Sequence, residues 1–414
     1  MSGTCGGAGA SGTRPPDPIL QTSGAWSPCK NGRVSAPIPP WEPLSEPVLA
    51  DQRGTYDRMR AACPVAESPR GVTLFRQADV VTAASDPVTF SSSASAHRMV
   101  PNSLDPPEHA AFRAIIDPFF TPDRMRALEP RVRRIAREIV GGLPPGRTID
   151  AVTDIGYPFA VRAQADWLGW QGIEDQLIAW MGENHAATRS RDRSRTAAVA
   201  AAFDELVLAQ IRHRREAGSA APDDPTTELL RLAIDGQPLP DTDIVSILRN
   251  WTAGDLGSMA AALGVVVHFL ATHPAQQEAL RAHREDPALA IDEMLRIDDP
   301  FLVNRRVTTV ETQVAGFVLQ PGTRVYLNWT SANRDEAVFA DPDAYRPATH
   351  ASANLVYGTG IHACPGRPLA TLELVVAVQV LLAATTRIEL APDAEPVRET
   401  YPLGGWRRVP IRLL

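Results

Sequence analysis

The chain has 414 residues and a net charge of −7, with 44 % hydrophobic and 21 % charged residues. This is the composition of an ordinary globular protein, and the negative balance argues against nucleic acid as a general partner. No uninterrupted apolar run reaches the ~18 residues of a membrane span, and the amino terminus lacks the basic start and apolar core of a signal peptide. We therefore expect a cytoplasmic protein that does not enter a membrane.

The first 48 residues are rich in Gly, Ser and Pro and show little periodic apolar pattern, which predicts a disordered leader. The remainder, residues 49–414, is expected to form a single domain. It opens with a short helix that ends before Pro64 and continues with a strand over 71–76.

Helical periodicity dominates the sequence from about residue 107 to residue 295. It predicts helices over 108–120, 124–143, 197–218 and 246–273. The last is long for a globular protein and ends at Pro274. A later helix over 369–385 is apolar on nearly all sides, as a buried helix is. Because strand-like pieces are few, at 305–319, 324–333 and 408–414, the predicted fold class is mostly α with small β-sheets (α+β).

A glycine-rich loop surrounds one cysteine, Cys364, in the stretch YGTGIHACPG. Gly358, Gly360 and Gly366 allow positive φ and a close approach of the backbone to a flat partner. The positive end of the helix that follows favours a thiolate nearby. A thiolate held against a large planar cofactor explains these features together. The alternative is a buried free cysteine in a glycine-rich turn.

The segment YGTGIHACPGRPLATLE, which begins at Tyr357, resembles the heme-binding signature of the cytochrome P450 family, the heme-thiolate monooxygenases. Tyr357 stands where the family usually has Phe. The resemblance implies heme b (iron protoporphyrin IX) as cofactor and Cys364 as the thiolate ligand of its iron, with Tyr357, Gly358 and Gly366 in the binding loop. It covers about residues 50–414. It implies the cytochrome P450 fold, with a long central helix over the heme and the cysteine-ligand loop beneath it.

Other segments resemble the same family in the same order. Glu293 and Arg296 match its E-x-x-R pair, and because residues i and i+3 share a helix face they are expected to pair and brace the heme-binding core. The segments SANRD (331–335) and FADPDAYRP (339–347) match the stretch between that pair and the cysteine loop. The resemblance further implies that the heme propionates contact four basic residues: His109, Arg113, Arg306 and His362.

The long helix departs from the family pattern. The family carries A-G-x-(Asp/Glu)-Thr-Thr, whose acid and alcohol deliver protons, whereas this chain has A-G-D-L-G-S with Leu256 at the acid position and Gly257 at the alcohol position. Asp255 lies one residue early, about 100° round the helix. Gly254 and Gly257 still let the helix bulge and admit water. The candidate catalytic positions are therefore Thr252, Asp255, Gly257 and Ser258.

This departure leaves three enzymatic interpretations and one non-enzymatic interpretation. The first is that Asp255, Ser258 or the substrate replaces the missing relay, and the enzyme still uses O2 with electrons from a ferredoxin and its reductase. The second is a peroxygenase driven by H2O2. The third is oxidative coupling, in which radicals of a phenol or indole join without gaining oxygen. A heme-binding protein without turnover is the remaining alternative.

By analogy with the family, the substrate is expected to be a small organic or peptide natural product. The distal pocket is predicted to be lined by Asn250, Trp251, Ala253, Gly254, Phe301 and Val303. The two aromatic residues could stack on an aromatic substrate or belong to the core. Residues 183–196 lie where the family has a mobile lid. On the opposite face, Arg367 is expected to help receive an acidic ferredoxin.

Overall fold

The computed structural model of the protein describes residues 40–95, 97–144 and 146–414. Its α-helices are α1 (Glu46–Ala50), α2 (Gln52–Ala62), α3 (Gln77–Ser85), α4 (Glu108–Ile116), α5 (Pro122–Gly142), α6 (Tyr157–Leu168), α7 (Glu174–Ser190), α8 (Arg193–Ala217), α9 (Pro225–Leu229), α10 (Asp241–Trp251), α11 (Ala253–Thr272), α12 (Pro274–Arg281), α13 (Pro287–Ile297), α14 (Trp329–Ala332), α15 (Pro347–His350) and α16 (Arg367–Ala384).

The strands are short: β1 (Val65–Ser68), β2 (Gly71–Leu74), β3 (Phe90–Ser91), β4 (Thr148–Asp150), β5 (Ala233–Ile234), β6 (Gln237–Pro238), β7 (Val303–Thr308), β8 (Thr312–Val314), β9 (Phe317–Leu319), β10 (Arg324–Asn328), β11 (Ile388–Leu390), β12 (Val397–Arg398), β13 (Trp406–Arg408) and β14 (Pro410–Leu413). The largest sheet has the order β1-β2-β10-β7-β3 and is antiparallel except between β2 and β10. A second sheet has the order β11-β14-β4. The prediction of a mostly helical protein with small sheets is confirmed.

The central helix is in two parts. The sequence predicted one helix over 246–273, but α10 and α11 are separated by Thr252, whose backbone lies at φ −115°, ψ −75°. The side-chain hydroxyl of Thr252 donates to the carbonyl of Leu248 at 2.6 Å, which satisfies it at the break. Because α10 begins at Asp241, the two parts together reach further towards the amino terminus than the apolar pattern predicted.

A bundle formed by α5, α6, α11 and α16 supplies nearly half of the large core cluster. The helix α6 packs antiparallel to α11. The start of α6 contacts the middle of α11, and the carboxy-terminal half of α6 reaches Trp251. A Cβ on Gly156 would lie 3.1 Å from the carbonyl oxygen of Ala260, so glycine allows this close approach. At the other end, the side-chain amide of Gln164 donates to the carbonyl of Trp251.

Two stretches, Asp241–Thr272 and Arg367–Ala384, are long and apolar enough to cross a membrane by length and composition. Within the fold, 61 % and 50 % of their apolar windows are buried against other elements. These helices form the centre of the bundle, which accounts for their apolar character without a membrane.

Two predicted boundaries are corrected by the structure. Most of the predicted leader lies outside the described residues, but its last part is ordered, since α1 begins at Glu46 and Pro40 forms a bridge with Glu67. The strand predicted over 324–333 ends at Asn328, whose side-chain oxygen accepts from the backbone N–H of Ser331 at 2.9 Å. That cap starts the helix α14, where the apolar pattern alone suggested a continuing strand.

Candidate cofactor-binding and active site

The cysteine loop is held in a tight conformation just before α16. The backbone N–H of Cys364 donates to the carbonyl of Tyr357 at 2.9 Å. Gly358 and Gly360 have φ of +69° and +72°, and a Cβ on Gly360 would lie 2.5 Å from the carbonyl oxygen of Ala84. Glycine is therefore required at both positions, as predicted. The expectation of positive φ is wrong for Gly366, which has φ −79° and caps α16.

The thiol of Cys364 faces an accessible space although protein surrounds it on most sides. Its side chain is exposed, yet burial raises its pKa to about 11. A side chain on the wall of an internal cavity satisfies both observations. The carboxyl group of Asp255 also raises this pKa, while the N–H groups of Gly366 and Arg367 lower it. Burial thus outweighs the predicted effect of the helix terminus, and a bound metal ion would be needed to deprotonate the thiol at neutral pH.

Four basic residues from α4, β7 and the cysteine loop converge, and we call them the cation cluster: His109, Arg113, Arg306 and His362. Arg113 donates to the carbonyls of Ile361 and Ala363, each at 3.0 Å, so it also fixes the loop. The rings of His109 and His362 lie 4.3 Å apart between centroids. Burial, together with the charge of Arg306, lowers the pKa of His362 to about 3.

Two members of the cation cluster, Arg306 and His109, have no ion pair with an anionic side chain within the described residues, whereas Arg113 pairs with Asp117 at 2.6 Å. The side chain of Arg306 is 5 % exposed, and its one hydrogen bond goes to the carbonyl of Arg305 at 2.9 Å. The Nε2 atom of His109 is buried and has no hydrogen-bond partner. An acidic ligand would satisfy both the buried guanidinium of Arg306 and the unpaired ring nitrogen of His109. A planar cofactor that carries carboxylates and a metal facing Cys364 fits this arrangement.

Glu293 and Arg296, on α13, form a fully buried ion pair with hydrogen bonds of 2.7 and 2.9 Å. Arg296 also donates to the carbonyls of Asn333 and Pro342 at 2.8 and 3.1 Å. His350 Nδ1 lies 2.7 Å from Glu293. Burial raises the pKa of Glu293, but the hydrogen bonds from Arg296 and the backbone outweigh it, so the net pKa is lowered. The pair thus connects α13 to the 331–335 and 339–347 segments.

The candidate catalytic positions on α11 do not all face one site. The hydroxyl of Ser258 donates back to the carbonyls of Gly254 and Asp255 at 3.2 and 3.0 Å. Thr252 is fully buried, and its hydroxyl donates a hydrogen bond to the backbone carbonyl of Leu248. The hydroxyl of Thr252 is thus engaged at the break between α10 and α11, and its catalytic role stays a prediction.

Asp255 interacts electrostatically with Glu373 on α16. Burial raises the pKa of Asp255 to about 7, and both burial and Asp255 raise the pKa of Glu373 well above its usual value. The Oε1 atom of Glu373 is buried without a hydrogen-bond partner. Two buried carboxyl groups that raise each other's pKa cannot both be ionised at neutral pH. Asp255 also raises the pKa of Cys364, so its carboxyl group lies close enough to act on both Glu373 and the thiol.

A histidine occupies the space beside Gly257. A Cβ on Gly257 would lie 2.9 Å from Nε2 of His185, on α7. The Nδ1 atom of the same ring lies 2.7 Å from the hydroxyl of Tyr157, the first residue of α6. Sequence reasoning missed both residues. His185 lies in the predicted lid segment, but neither residue belongs to a motif, and nothing in the sequence pairs them with each other or with Gly257.

The predicted pocket residues divide into core and accessible positions. Trp251 is packed against Phe119 and Trp167, with ring centroids 4.9 and 5.2 Å away, so its predicted place in the pocket is wrong and it belongs to the core. Asn250 donates to the carbonyl of Val100 at 2.7 Å and anchors the segment around that residue. The remaining predicted positions keep accessible surface: Ala253, Gly254, Phe301 and Val303.

Comparisons with known proteins agree with this arrangement. A sequence model of the family described as Cytochrome P450 matches residues 288–400. The erythromycin C-12 hydroxylase of Saccharopolyspora erythraea is 31 % identical over 389 residues, which cover 88 % of this chain and 96 % of the hydroxylase. Cyclomarin C epoxidase CymV of Salinispora arenicola is 30 % identical, over 82 % of this chain and 89 % of the epoxidase. The ligand-free structure of cytochrome P450 TbtJ1 has a TM-score of 0.81 and 28 % identity, and the match covers 89 % of this chain and 100 % of that one.

Proposed function

Since the chain belongs to the cytochrome P450 family and is a monooxygenase-type oxidoreductase, we propose that it oxidises a natural product with O2, using heme b and electrons from a ferredoxin and its reductase. The observation that carries the proposal is the accessible thiol of Cys364 beside the cation cluster. The substrate class comes from the relatives, one named as a hydroxylase of erythromycin and the other as an epoxidase of cyclomarin C.

A bound heme whose iron is ligated by a thiolate would supply the oxidising chemistry. Cys364 would be the iron ligand, and the cation cluster would bind the propionates. Tyr357, Gly358 and Gly366 would shape the loop around the thiolate. The ion pair of Glu293 and Arg296 would hold the loop's supporting segments in place. Ala253, Gly254, Phe301 and Val303 would line the substrate side.

Arg367 is the residue that we propose for contact with an acidic ferredoxin. It is exposed at the start of α16 and makes a 2.9 Å ion pair with Asp292. Its guanidinium also lies 5.1 Å from the ring centre of Tyr357, which holds it next to the cysteine loop. A cation in this position would steer an electron-transfer protein to the thiolate side of the heme.

The proposal predicts the origin of the oxygen in the product. The purified enzyme is given NADPH, a bacterial ferredoxin, a ferredoxin reductase and candidates of the erythromycin and cyclomarin types, under ¹⁸O2. We expect one labelled oxygen atom in the product, measured by mass spectrometry. A product that has lost two hydrogens and gained no label would indicate oxidative coupling instead. Turnover with H2O2 but not with the ferredoxin system would indicate a peroxygenase.

A second prediction concerns Arg306. Replacing it with leucine removes a buried cation that has no carboxylate partner in the described residues, so the apoprotein should become more stable, by about 1–3 kcal/mol. The same change removes a charged hydrogen bond to a propionate, worth about 1.5–3 kcal/mol, so heme affinity should fall by roughly 10- to 100-fold. Denaturation of the apoprotein and heme titration measure the two effects.

Arg305 provides the matched control, since it is adjacent to Arg306 but exposed. Arg305→Leu should change neither quantity appreciably. If Arg306→Leu lowered the stability of the apoprotein and left heme affinity unchanged, Arg306 would be a structural residue and its assignment to the propionates would fail.

A further inference from the structure

Three residues from three helices meet where the family has an alcohol side chain: Tyr157 on α6, His185 on α7 and Gly257 on α11. A Cβ on Gly257 would lie 2.9 Å from His185 Nε2. The imidazole therefore occupies the space that a side chain at position 257 would need. Gly257 lies within α11 and its φ is not positive, so its backbone conformation does not require glycine. Glycine inside a helix costs about 1 kcal/mol relative to alanine. The space taken by the imidazole explains why glycine is nevertheless present.

The protonation of the pair follows from its surroundings. Burial and the charge of Arg189 lower the pKa of His185 to about 4, so the ring is neutral at pH 7 and carries one N–H. Burial raises the pKa of Tyr157, so the phenol keeps its proton. Within the described residues, that hydroxyl makes its one hydrogen bond to His185 Nδ1, at 2.7 Å. Tyr157 is therefore the donor, Nδ1 the acceptor, and the imidazole proton resides on Nε2, beside Gly257.

The alternative donors nearby are already engaged. The hydroxyls of Thr252 and Ser258 both donate to carbonyls of their own helix segment. Asp255 stands two residues before Gly257, about 200° round α11, so the two residues lie on different sides of the helix. Arg189, one helical turn after His185, is held by Glu399 at 3.1 Å. The Nε2–H of His185 is thus the donor that the structure leaves available beside Gly257.

We propose that His185 takes the place of the alcohol at the distal site and donates its Nε2–H to an oxygen atom of the reacting molecules, with Tyr157 as the positioning residue. When Nε2 gives up its proton, Nδ1 accepts the proton of Tyr157, so the ring stays neutral and the negative charge passes to the phenolate oxygen. Water then protonates Nε2, Nδ1 returns its proton to the phenolate, and the starting state is restored. This inference rests on the proposed monooxygenase function.

The packing part of the proposal is tested with Gly257→Thr, His185→Ala and the double variant, each as purified heme-loaded protein. Gly257→Thr forces a side chain against the imidazole and should lower the midpoint of thermal unfolding by about 2–10 °C. The double variant should regain most of that loss, because the space is free again. A Gly257→Thr protein as stable as the parent would overturn the proposal.

The protonation part is tested by ¹⁵N NMR of histidine-labelled protein in the ferrous carbon monoxide form, with His185→Gln identifying the signal. We expect a neutral ring with its proton on Nε2 across pH 6–8, and a mixture of tautomers in Tyr157→Phe. A ring protonated on Nδ1 in the parent protein would overturn the assignment. This readout does not depend on turnover.

The catalytic role of His185 is tested by the coupling efficiency, which is the share of NADPH electrons that end up in product. His185→Ala should lower this share at least about tenfold, in the range of a lost proton donor, with little change in substrate KM. Adding Gly257→Thr should restore part of it, because a hydroxyl returns. His268→Gln, on the distant part of α11 where the ring stacks on Trp406, is the matched control and should change nothing.

The outcomes separate this inference from the proposed function. If the parent enzyme incorporates labelled oxygen but His185→Ala is equally efficient, His185 is not the donor and the proposed function stands. If the parent shows no turnover with any electron donor, the proposed function fails, while unfolding and NMR still decide whether the pair is built as described.

Discussion

Replacing Arg296 with alanine is expected to destabilise the protein by about 3–5 kcal/mol, which is the loss found when one partner of a buried ion pair is removed. The pair is fully buried, and Glu293 would keep an uncompensated negative charge. The carbonyls of Asn333, Pro342 and Ala344 would lose their donor in the same change. Because these carbonyls belong to the segments that support the cysteine loop, heme retention should fall together with stability. Guanidinium denaturation and heme content measure the two losses.

An exposed ion pair provides the control for Arg296→Ala. Arg215 donates to Asp241 at 2.7 Å, and the two side chains are 51 % and 43 % exposed. Arg215→Ala should cost less than about 1 kcal/mol, since solvent screens such a pair. If Arg215→Ala and Arg296→Ala lowered the free energy of unfolding equally, the greater contribution expected of the buried pair would be contradicted.

The fold could be predicted from the sequence where one helix face repeats over many residues. The apolar runs of α5, α11 and α16 are long, and their periodicity predicts a helix rather than a strand. The break at Thr252 was not evident from the apolar pattern, because no proline marks it and it shows only in the backbone angles of Thr252. The end of β10 at Asn328 was missed for a related reason, since one capping side chain outweighed the apolar pattern of the residues after it.

The candidate site was predictable where its residues lie inside local motifs. Cys364 and the members of the cation cluster each sit in a short recognisable segment, and the structure brings those segments together. Tyr157 and His185 are 28 residues apart and meet only because α6 and α7 pack side by side against α11. The electrostatic coupling of Asp255 with Glu373 likewise depends on how α11 packs on α16. Trp251 was assigned to the pocket because the sequence does not distinguish a helical aromatic residue that faces a pocket from one that faces the core.

Cys364→Ser is expected to abolish monooxygenase turnover while leaving the fold intact. The loop is held by the backbone hydrogen bond from Cys364 to Tyr357 and by Arg113, neither of which uses the sulfur atom. Serine is close to cysteine in size, but its hydroxyl is far less acidic and cannot supply a thiolate to iron. Product formation with NADPH and the ferredoxin system measures the loss, and circular dichroism checks the fold. Thr359→Ala, in the same loop, is the control and should retain turnover.

The central claim is that Cys364 is the thiolate ligand of a bound heme, and the reduced-plus-carbon-monoxide difference spectrum tests it most directly. The parent protein should give a Soret band strongly shifted to the red of that of imidazole-ligated heme, and Cys364→Ser should lose the shift while Thr359→Ala keeps it. A parent protein without heme, or an unshifted band that is the same in Cys364→Ser, would contradict the assignment of Cys364 and the oxidation chemistry proposed from it.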